Sequence, residues 1–405
     1  GANTHSGGTT VSGGTVRAGI ASTGSAGSVT NGAFGTGTVT VNSGFTIDLN
    51  GFNTANAFNL SGTGIGTNGA LINSGSTATA SGAVALAAAT TIGGAGNYTL
   101  SGAITGAFAL TKTGANTITL SGASNASTTT TISAGTLQIG DGGTTGTLGS
   151  GAVTNNAALI FNRSNDLSIS NAISGTGTLQ KQGDGVLTLS GANSYSGLTT
   201  ISAGTLRLGA AGSGSNTPLG TTAAGTVVAS GATLDLNGFT LATAEGLTLS
   251  GTGASSAGAL TNSSSTAASY AGLVALGSAS SIVGGSGTIA LTHVGTITGA
   301  TFGLTLGGTE GGSIASIIGT TSGTVTKQDA GTWTLSGVNT YSGDTLVSAG
   351  TLRTTGTLNG ATDVVMSNAA IWDLQATQTI ATLTMASGNT LSLIHISEPT
   401  RQAEI

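Results

Sequence analysis

The sequence predicts an all-β chain folded as a parallel β-solenoid, and three observations carry that expectation. First, one passage is written three times. Residues 117–140 read TITLSGASNASTTTTISAGTLQIG, 186–209 read VLTLSGANSYSGLTTISAGTLRLG, and 332–353 read TWTLSGVNTYSGDTLVSAGTLR. Tandem copies mark an architecture in which each unit stacks on a near-copy of itself. Second, apolar and polar residues alternate with a period of two along the chain, as in Thr38-Val39-Thr40-Val41, Leu247-Thr248-Leu249 and Leu304-Thr305-Leu306. That is the pattern of strands with one dry and one wet face. Third, glycine supplies 72 of 405 residues, while only 5% are charged and 3% aromatic. Such a chain fills a thin core and not a thick one, yet its 38% hydrophobic content sets it apart from disordered sequence.

Taken in order, residues 1–37 read as an irregular or capping segment. Residues 38–390 read as tandem solenoid repeats. Within them, TVTVNSGFTIDLNGF at 38–52 matches TVVASGATLDLNGF at 226–239, Leu60-Ser61-Gly62 matches Leu249-Ser250-Gly251, and Val84-Ala85-Leu86 matches Val274-Ala275-Leu276. A weaker copy, VVMSNAAIWDL, lies at 364–374. Gly, Asn and Ser clusters after each strand mark turns, and the glycine and threonine content disfavours helix. With roughly 20–25 residues per turn and turns about 4.8 Å apart, the expectation is a single elongated rod of roughly 15–19 turns. Residues 391–405 differ in composition, with Pro399, His395 and three charges in a short run. They resemble a translated sequencing adapter and are expected to be a non-native tail.

Composition excludes several functions. The net charge is −5, and the eight Lys and Arg are scattered, so no basic patch serves nucleic acid. There is no cysteine for a disulfide or thiolate metal site. No run of about 18 apolar residues could cross a membrane as a helix.

The repeated passages resemble the passenger-associated transport repeat, also called the autotransporter-associated β-strand repeat. Its pattern reads G-x-L-T-L-(S/T)-G-x-N-(S/T)-Y-(S/T)-G, followed by G-T-L-x-(L/I)-G. The copy at 185–209 matches at Leu189, Gly191, Asn193, Tyr195 and Gly197, then at Gly204, Thr205 and Leu206. The copy at 331–353 matches at Leu335, Gly337, Asn339, Tyr341 and Gly343, then at Gly350, Thr351 and Leu352. The first copy keeps Leu120, Gly122, Gly135, Thr136 and Leu137 but has Ala126 at the tyrosine position. The resemblance implies a right-handed β-helix. It further implies the passenger of a type V secreted protein of a Gram-negative bacterium, at the cell surface or outside the cell. A stalk or adhesin-like scaffold, aiding export and folding, is the implied role. An outer-membrane β-barrel would be expected in a full-length chain, and no barrel-like series of strands is present in this sequence. Host surface glycans, host proteins or other copies of the chain are the implied partners.

No residue pattern points to a catalytic, cofactor or metal site, and the expectation is a non-enzyme. Most charged residues recur in register. Lys112, Lys181 and Lys327 each precede the leucine of T-L-S-G by eight residues, and Arg207 and Arg353 follow it by 18. Asp48, Asp235 and Asp373 share an apolar-Asp-Leu context. Periodic charges of this kind are expected on the solvated face or at turns. Asp184 and Asp329 read as turn residues beside surface lysines, Glu245 and Glu310 as solitary acids. His5, His293 and His395 lack nucleophilic partners. The competing expectation is a β-helical carbohydrate-active enzyme, a lyase or esterase, which requires a non-periodic ionic cluster in one groove. Outward Thr-x-Thr rows, such as Thr117 and Thr119, suit ordered water or hydroxyl-rich ligands.

Overall fold

The computed structural model describes residues 1–212, 214 and 216–393. They form short strands, with no α-helix among the described residues, and make a parallel β-solenoid of about 17 turns. Two compact units divide the chain, Gly1–Gly225 and Thr226–Ile405. Of the terminal stretch read as a non-native tail, Leu391–Leu393 complete the strand Thr390–Leu393, and 394–405 lie outside the described residues.

In the first unit each strand pairs in parallel with one roughly 20 residues further on. Tyr98–Leu100 pairs with Thr117–Leu120, which pairs with Thr136–Ile139, then Ala158–Asn162, then Thr178–Gln182. The register stacks Tyr98, Ile118, Leu137, Leu159 and Leu179 in one ladder, and all five are buried. Their neighbours Thr99, Thr119, Gln138, Ile160 and Gln180 form the outward ladder. The alternation in the sequence is thus the alternation of the sheet, repeated at each turn. Residues 1–37, expected to be an irregular or capping N-terminal part of the solenoid, hold Thr9–Val11, which pairs in parallel with Val39–Val41, and Thr15–Arg17, which pairs with Thr46–Asp48. A single antiparallel hairpin, Thr23–Ser25 with Ser28–Asn31, interrupts them.

The second unit repeats the plan. Ile289–Leu291, Gly311–Ile314, Thr332–Leu335, Thr351–Thr354 and Ile371–Leu374 pair in parallel succession. Its ladder runs Ile289, Gly312, Trp333, Leu352, Trp372. The order explains how a narrow interior takes two tryptophans. Gly312 leaves room beneath the Trp333 ring, whose Nε1–H donates to the Gly307 carbonyl at 2.9 Å. Both tryptophans and all four tyrosines are buried, so the few large side chains are concentrated inside.

Matching segments of the two units agree down to single hydrogen bonds. Val84–Gly94 and Val274–Gly284 are both 11 residues long and share a register irregularity after the third residue. Beyond it, Thr90 Oγ1 donates to the Leu60 carbonyl in one unit, and Ser280 Oγ to that of Leu249 in the other. Thr46 Oγ1 accepts from Ile65 N and donates to the Gly69 carbonyl; Thr233 does the same with Ala254 and Gly258.

The tryptophan ladder yields a test. A Cβ on Gly312 would overlap the Ile289 carbonyl oxygen and lie 3.0 Å from the Trp333 ring. Gly312→Val is expected to destabilise the second unit by about 1–3 kcal/mol, read as a lower guanidinium midpoint with loss of the buried-tryptophan fluorescence.

Candidate functional site

The polar groups that the repeat keeps in register lie at the ends of strands, where the chain turns a corner. Lys112 ends Leu110–Lys112, Lys181 lies in Thr178–Gln182, and Lys327 ends Val325–Lys327. The expectation placed these lysines on the solvated face or at turns; they do stand where the chain turns, but all three are buried and not solvated. Each stands inside an aliphatic or aromatic ladder, Lys112 between Ile92 and Ile132, Lys181 between Phe161 and Ile201, Lys327 between Leu306 and Val347. The reason is the period of two. In Leu110-Thr-Lys112, Leu179-Gln-Lys181 and Val325-Thr-Lys327 the apolar residue two positions earlier fixes the lysine on the inner face. That spacing was the signal available in the sequence.

A buried ammonium needs three acceptors, and each has them. Lys112 Nζ donates to the carbonyls of Thr113 and Gly114 at 2.8 Å and of Ala134 at 3.0 Å. Lys181 Nζ reaches Gln182, Gly183 and Ala203 at 2.9, 2.7 and 3.1 Å. Lys327 Nζ reaches Gln328, Asp329 and Ala349 at 2.8, 2.7 and 2.8 Å. Two acceptors lie in the lysine's own turn, and the third is the alanine of S-A-G-T-L in the next. The serine before that alanine donates its N–H to the lysine's carbonyl, as Ser133, Ser202 and Ser348 do at 2.8, 2.9 and 2.8 Å. The following glycine has φ of 66° at Gly135, 62° at Gly204 and 64° at Gly350. A side chain there would overlap the carbonyl oxygens of the preceding turn. Thr136, Thr205 and Thr351 then point partly outward, while Leu137, Leu206 and Leu352 re-enter the core. The recurring S-A-G-T-L is therefore the receiving half of a lysine clamp. Burial pushes each of the three ammonium groups down to about 8; nearby Asp184 and Asp329 oppose the shift at Lys181 and Lys327 respectively.

The N-x-Y part is a second polar joint. Asn193 Oδ1 accepts from Ile173 N at 2.9 Å, and its Nδ2 donates to the Pro218 carbonyl at 2.8 Å. Asn339 Oδ1 accepts from Ile318 N at 2.9 Å, and its Nδ2 donates to Thr357 at 3.0 Å. Each asparagine thus bridges the turns before and after its own. Tyr195 and Tyr341 are buried, with hydroxyls 2.6 and 2.7 Å from Thr199 and Thr345 Oγ1. Burial raises the Tyr341 phenol well above its ordinary range, against the Thr345 hydrogen bond. Leu120, Leu189 and Leu335 are buried, and side chains on Gly122, Gly191 and Gly337 would overlap the carbonyls of Gly102, Asn171 and Ser316. The same holds for Gly197 against Gly177 and Gly343 against Gly323. In the first copy, with Ala126 in place of tyrosine, Ser127 Oγ is buried without a partner.

The aspartates expected at the surface are also buried. They stand where a strand exits into a turn and its N–H groups need an acceptor. Asp48 Oδ1 accepts from Asn50 N and Ser74 N, both at 2.9 Å. Its Oδ2 accepts from Ser74 Oγ at 2.6 Å and Arg17 Nε at 2.9 Å. Asp235 binds Asn237 N, Ser263 N and Ser263 Oγ in the same way. Asp373 accepts from Arg353 Nε at 2.7 Å and Gln375 Nε2 at 2.6 Å. Asp184 and Asp329 are exposed turn residues, as expected, although the lysines beside them are not at the surface. Glu245 is buried with Oε1 2.6 Å from Thr226 Oγ1, and burial raises its carboxyl to about 7. Glu310 is exposed, and His293 Nδ1 accepts from Gly295 N at 2.8 Å. His5 Nε2 lies 3.1 Å from Thr9 Oγ1; His395 falls outside the described residues. Among the described residues no group of three or more His, Asp or Glu is arranged to hold a metal. The buried lysines, asparagines and aspartates connect turns, and among the described residues they are not gathered around a pocket.

Comparison with known proteins agrees. The family described as the passenger-associated-transport-repeat matches residues 1–18, 110–139, 179–208 and 325–353. The chain carries passenger-associated-transport-repeats. Each of the last three matches begins at or shortly before the clamp lysine and ends within G-T-L-x-(L/I), so the family's repeat coincides with clamp, N-x-Y region and receiving turn. The match at 1–18 was missed in the sequence, although Gly14-Thr15-Val16-Arg17 carries the closing G-T-L-R with Val for Leu. Its Arg17 pairs with Asp48 as Arg353 pairs with Asp373. Over 83 residues, 20% of this chain, the sequence is 48% identical to the adhesin BmaC autotransporter of Brucella suis biovar 1 (strain 1330). That stretch is 2% of the relative's length, so the chain spans a small part of the curated protein it matches. No solved structure matches.

The transport-repeat clamp makes two measurable statements. Lys181→Met keeps the stem but leaves three carbonyls without their donor, and is expected to cost about 1–3 kcal/mol in a denaturant titration. The pH dependence has a definite sign. With the folded ammonium near 8 and the unfolded one at its ordinary 10.5, the unfolded chain binds more protons between those values. Stability should therefore rise with pH from about 8 toward 10, the desolvation cost being fully present below 8. Replacing all three lysines with Met should flatten that rise.

Proposed function

We propose that this chain is part of an autotransporter passenger. In this reading it stands at the surface of, or outside, a Gram-negative cell as an adhesin-like stalk. The observation that supports the reading most is the use made of the repeat's polar residues. Clamp lysines, bridging asparagines and paired Arg–Asp all tie one turn to its neighbour, as a scaffold requires. The four transport-repeat matches and the similarity to an autotransporter adhesin support the same reading. They favour a non-enzymatic role over the lyase or esterase alternative, which needs an ionic cluster of its own.

Sequential docking also suits export. A turn gains burial when its neighbour is in place, and a turn that carries a clamp lysine also gains the charge-assisted hydrogen bond to the next turn's alanine, so addition of turns outside the cell is favourable and hard to reverse. Partners in this reading are surface glycans, surface proteins or further copies of the chain.

Two measurements test it. The purified chain on beads should adhere to host cells above a bead-only control; absence of adhesion to any surface would remove the adhesin-like role. In the full-length passenger, the double change Asn193→Ala and Tyr195→Ser should reduce surface display several-fold by flow cytometry. Undiminished display would sink the export role of the repeats.

A further inference from the structure

Most threonine hydroxyls inside the fold are bonded, whereas outward ones on many turns, such as the stacked Thr111, Thr131 and Thr154, are not, and at two places outward hydroxyls line a groove. In the first unit a shallow groove of about 230 Å³ is lined by Thr77, Asn97, Tyr98, Thr99, Thr117 and Thr119. The Tyr98 ring is buried beneath it, its hydroxyl donating to the Leu71 carbonyl at 3.1 Å. The four threonine hydroxyls make no hydrogen bond to any described residue; Thr77 is exposed, Thr99 and Thr117 are half-buried, and Thr119 is nearly buried at the groove floor. In the second unit a groove of about 280 Å³ lies on the corresponding T-x-T strand of another repeat, where Thr288, Ser313, Thr332 and Thr334 again carry unbonded hydroxyls. The parallel register sets the spacing: Thr99 stacks on Thr119, and Ser313 on Thr334. In that column of each groove a ligand crossing the turns meets two hydroxyls about 4.8 Å apart; in the other column Asn97 separates Thr77 from Thr117 and Gly311 separates Thr288 from Thr332.

We propose that these two grooves bind a neutral polysaccharide, its chain laid across successive turns. This rests on the adhesin-like reading and names the chemistry that reading would use. Hydroxyls donate and accept alike, so an array of them matches a ligand that does the same. Repetition with the turns favours a polymer over a single sugar, since many weak contacts must act together. Charge decides between neutral and acidic polymers. No cation lines either groove, and Glu310 borders the second. Arg353 follows Thr334 in the ladder beside the second groove and is held there by Asp373; most other cations are engaged away from the grooves. Lys112, Lys181 and Lys327 are enclosed by carbonyls, Arg17 and Arg353 are paired with aspartates, and Arg163 donates to the carbonyls of Thr144 and Gly146.

The test is affinity electrophoresis of the whole chain through gels containing dextran, mannan or a soluble β-glucan, with heparin and alginate as acidic comparators. Retardation is expected in at least one neutral polymer and in neither acidic one. The variants are Thr99→Val with Thr119→Val, and Thr332→Val with Thr334→Val. Valine keeps the shape and the strand preference, and circular dichroism with thermal melting checks the fold. The four changes together should weaken retention on the order of tenfold or more, whereas Thr154→Val, outside both grooves, should leave it unchanged. Retardation by acidic polymers only, by none, or undiminished in the folded valine variants overturns the proposal. So does inhibition of ice recrystallisation without any glycan binding, which would assign the array to ordered water. Bead adhesion separates the two levels: adhesion without polysaccharide binding removes this inference and leaves the adhesin-like reading standing, and absence of both removes the reading.

Discussion

The governing constraint in this fold is the corner. A parallel ladder satisfies the backbone of each strand through the turns on either side, but where the chain bends the ladder stops. Carbonyls and N–H groups are then left facing a thin interior with little water. Left unpaired, each would cost on the order of 1–3 kcal/mol. The chain answers with side chains of the required polarity. Lysine ammonium groups gather carbonyls at three corners, and Asp48, Asp235 and Asp373 gather donors at three others. Asn73 and Asn262 do both, each accepting from a turn glycine and donating to carbonyls of its own and the following turn. A composition with 5% charge is sufficient because almost every structural charge is placed where the backbone calls for it.

The repeat motif is intelligible on the same terms. Its leucines and tyrosines fill the interior, its glycines stand where a carbonyl from the preceding turn comes close, and its S-A-G segment accepts the lysine. In this chain the repeat's recurring residues are thus those that join turn to turn, and the hydroxyl rows lie at outward positions between them.

Much of this architecture was legible in the sequence. The period of two gave strands, the tandem copies gave stacking, and the match between 38–52 and 226–239 marked two like passages in which Thr46 and Thr233 make the same bonds, although the division into two units was not read from it. What the sequence concealed was polarity turned inward. A lysine in an alternating strand reads by composition as a surface residue, and only its place two residues after Leu110, Leu179 or Val325 marks it as internal. The aspartates were hidden differently. In Ile47-Asp48-Leu49 the alternation breaks, because the strand is already leaving the ladder, and periodicity has nothing to say there. The opening turn escaped notice because valine replaces leucine in its Gly14-Thr15-Val16-Arg17, and the antiparallel hairpin that follows interrupts the pattern.

The clamp has a consequence for how such genes change in length. Each ammonium takes its last acceptor from the alanine one turn further on, as Lys181 does from Ala203. A recombination between copies that removes or inserts whole turns returns every lysine an alanine in the same place. An exchange that breaks within a turn strands a cation among apolar ladders and is purged at folding. Unequal crossing-over between clamp-bearing copies is thereby filtered into steps of whole coils.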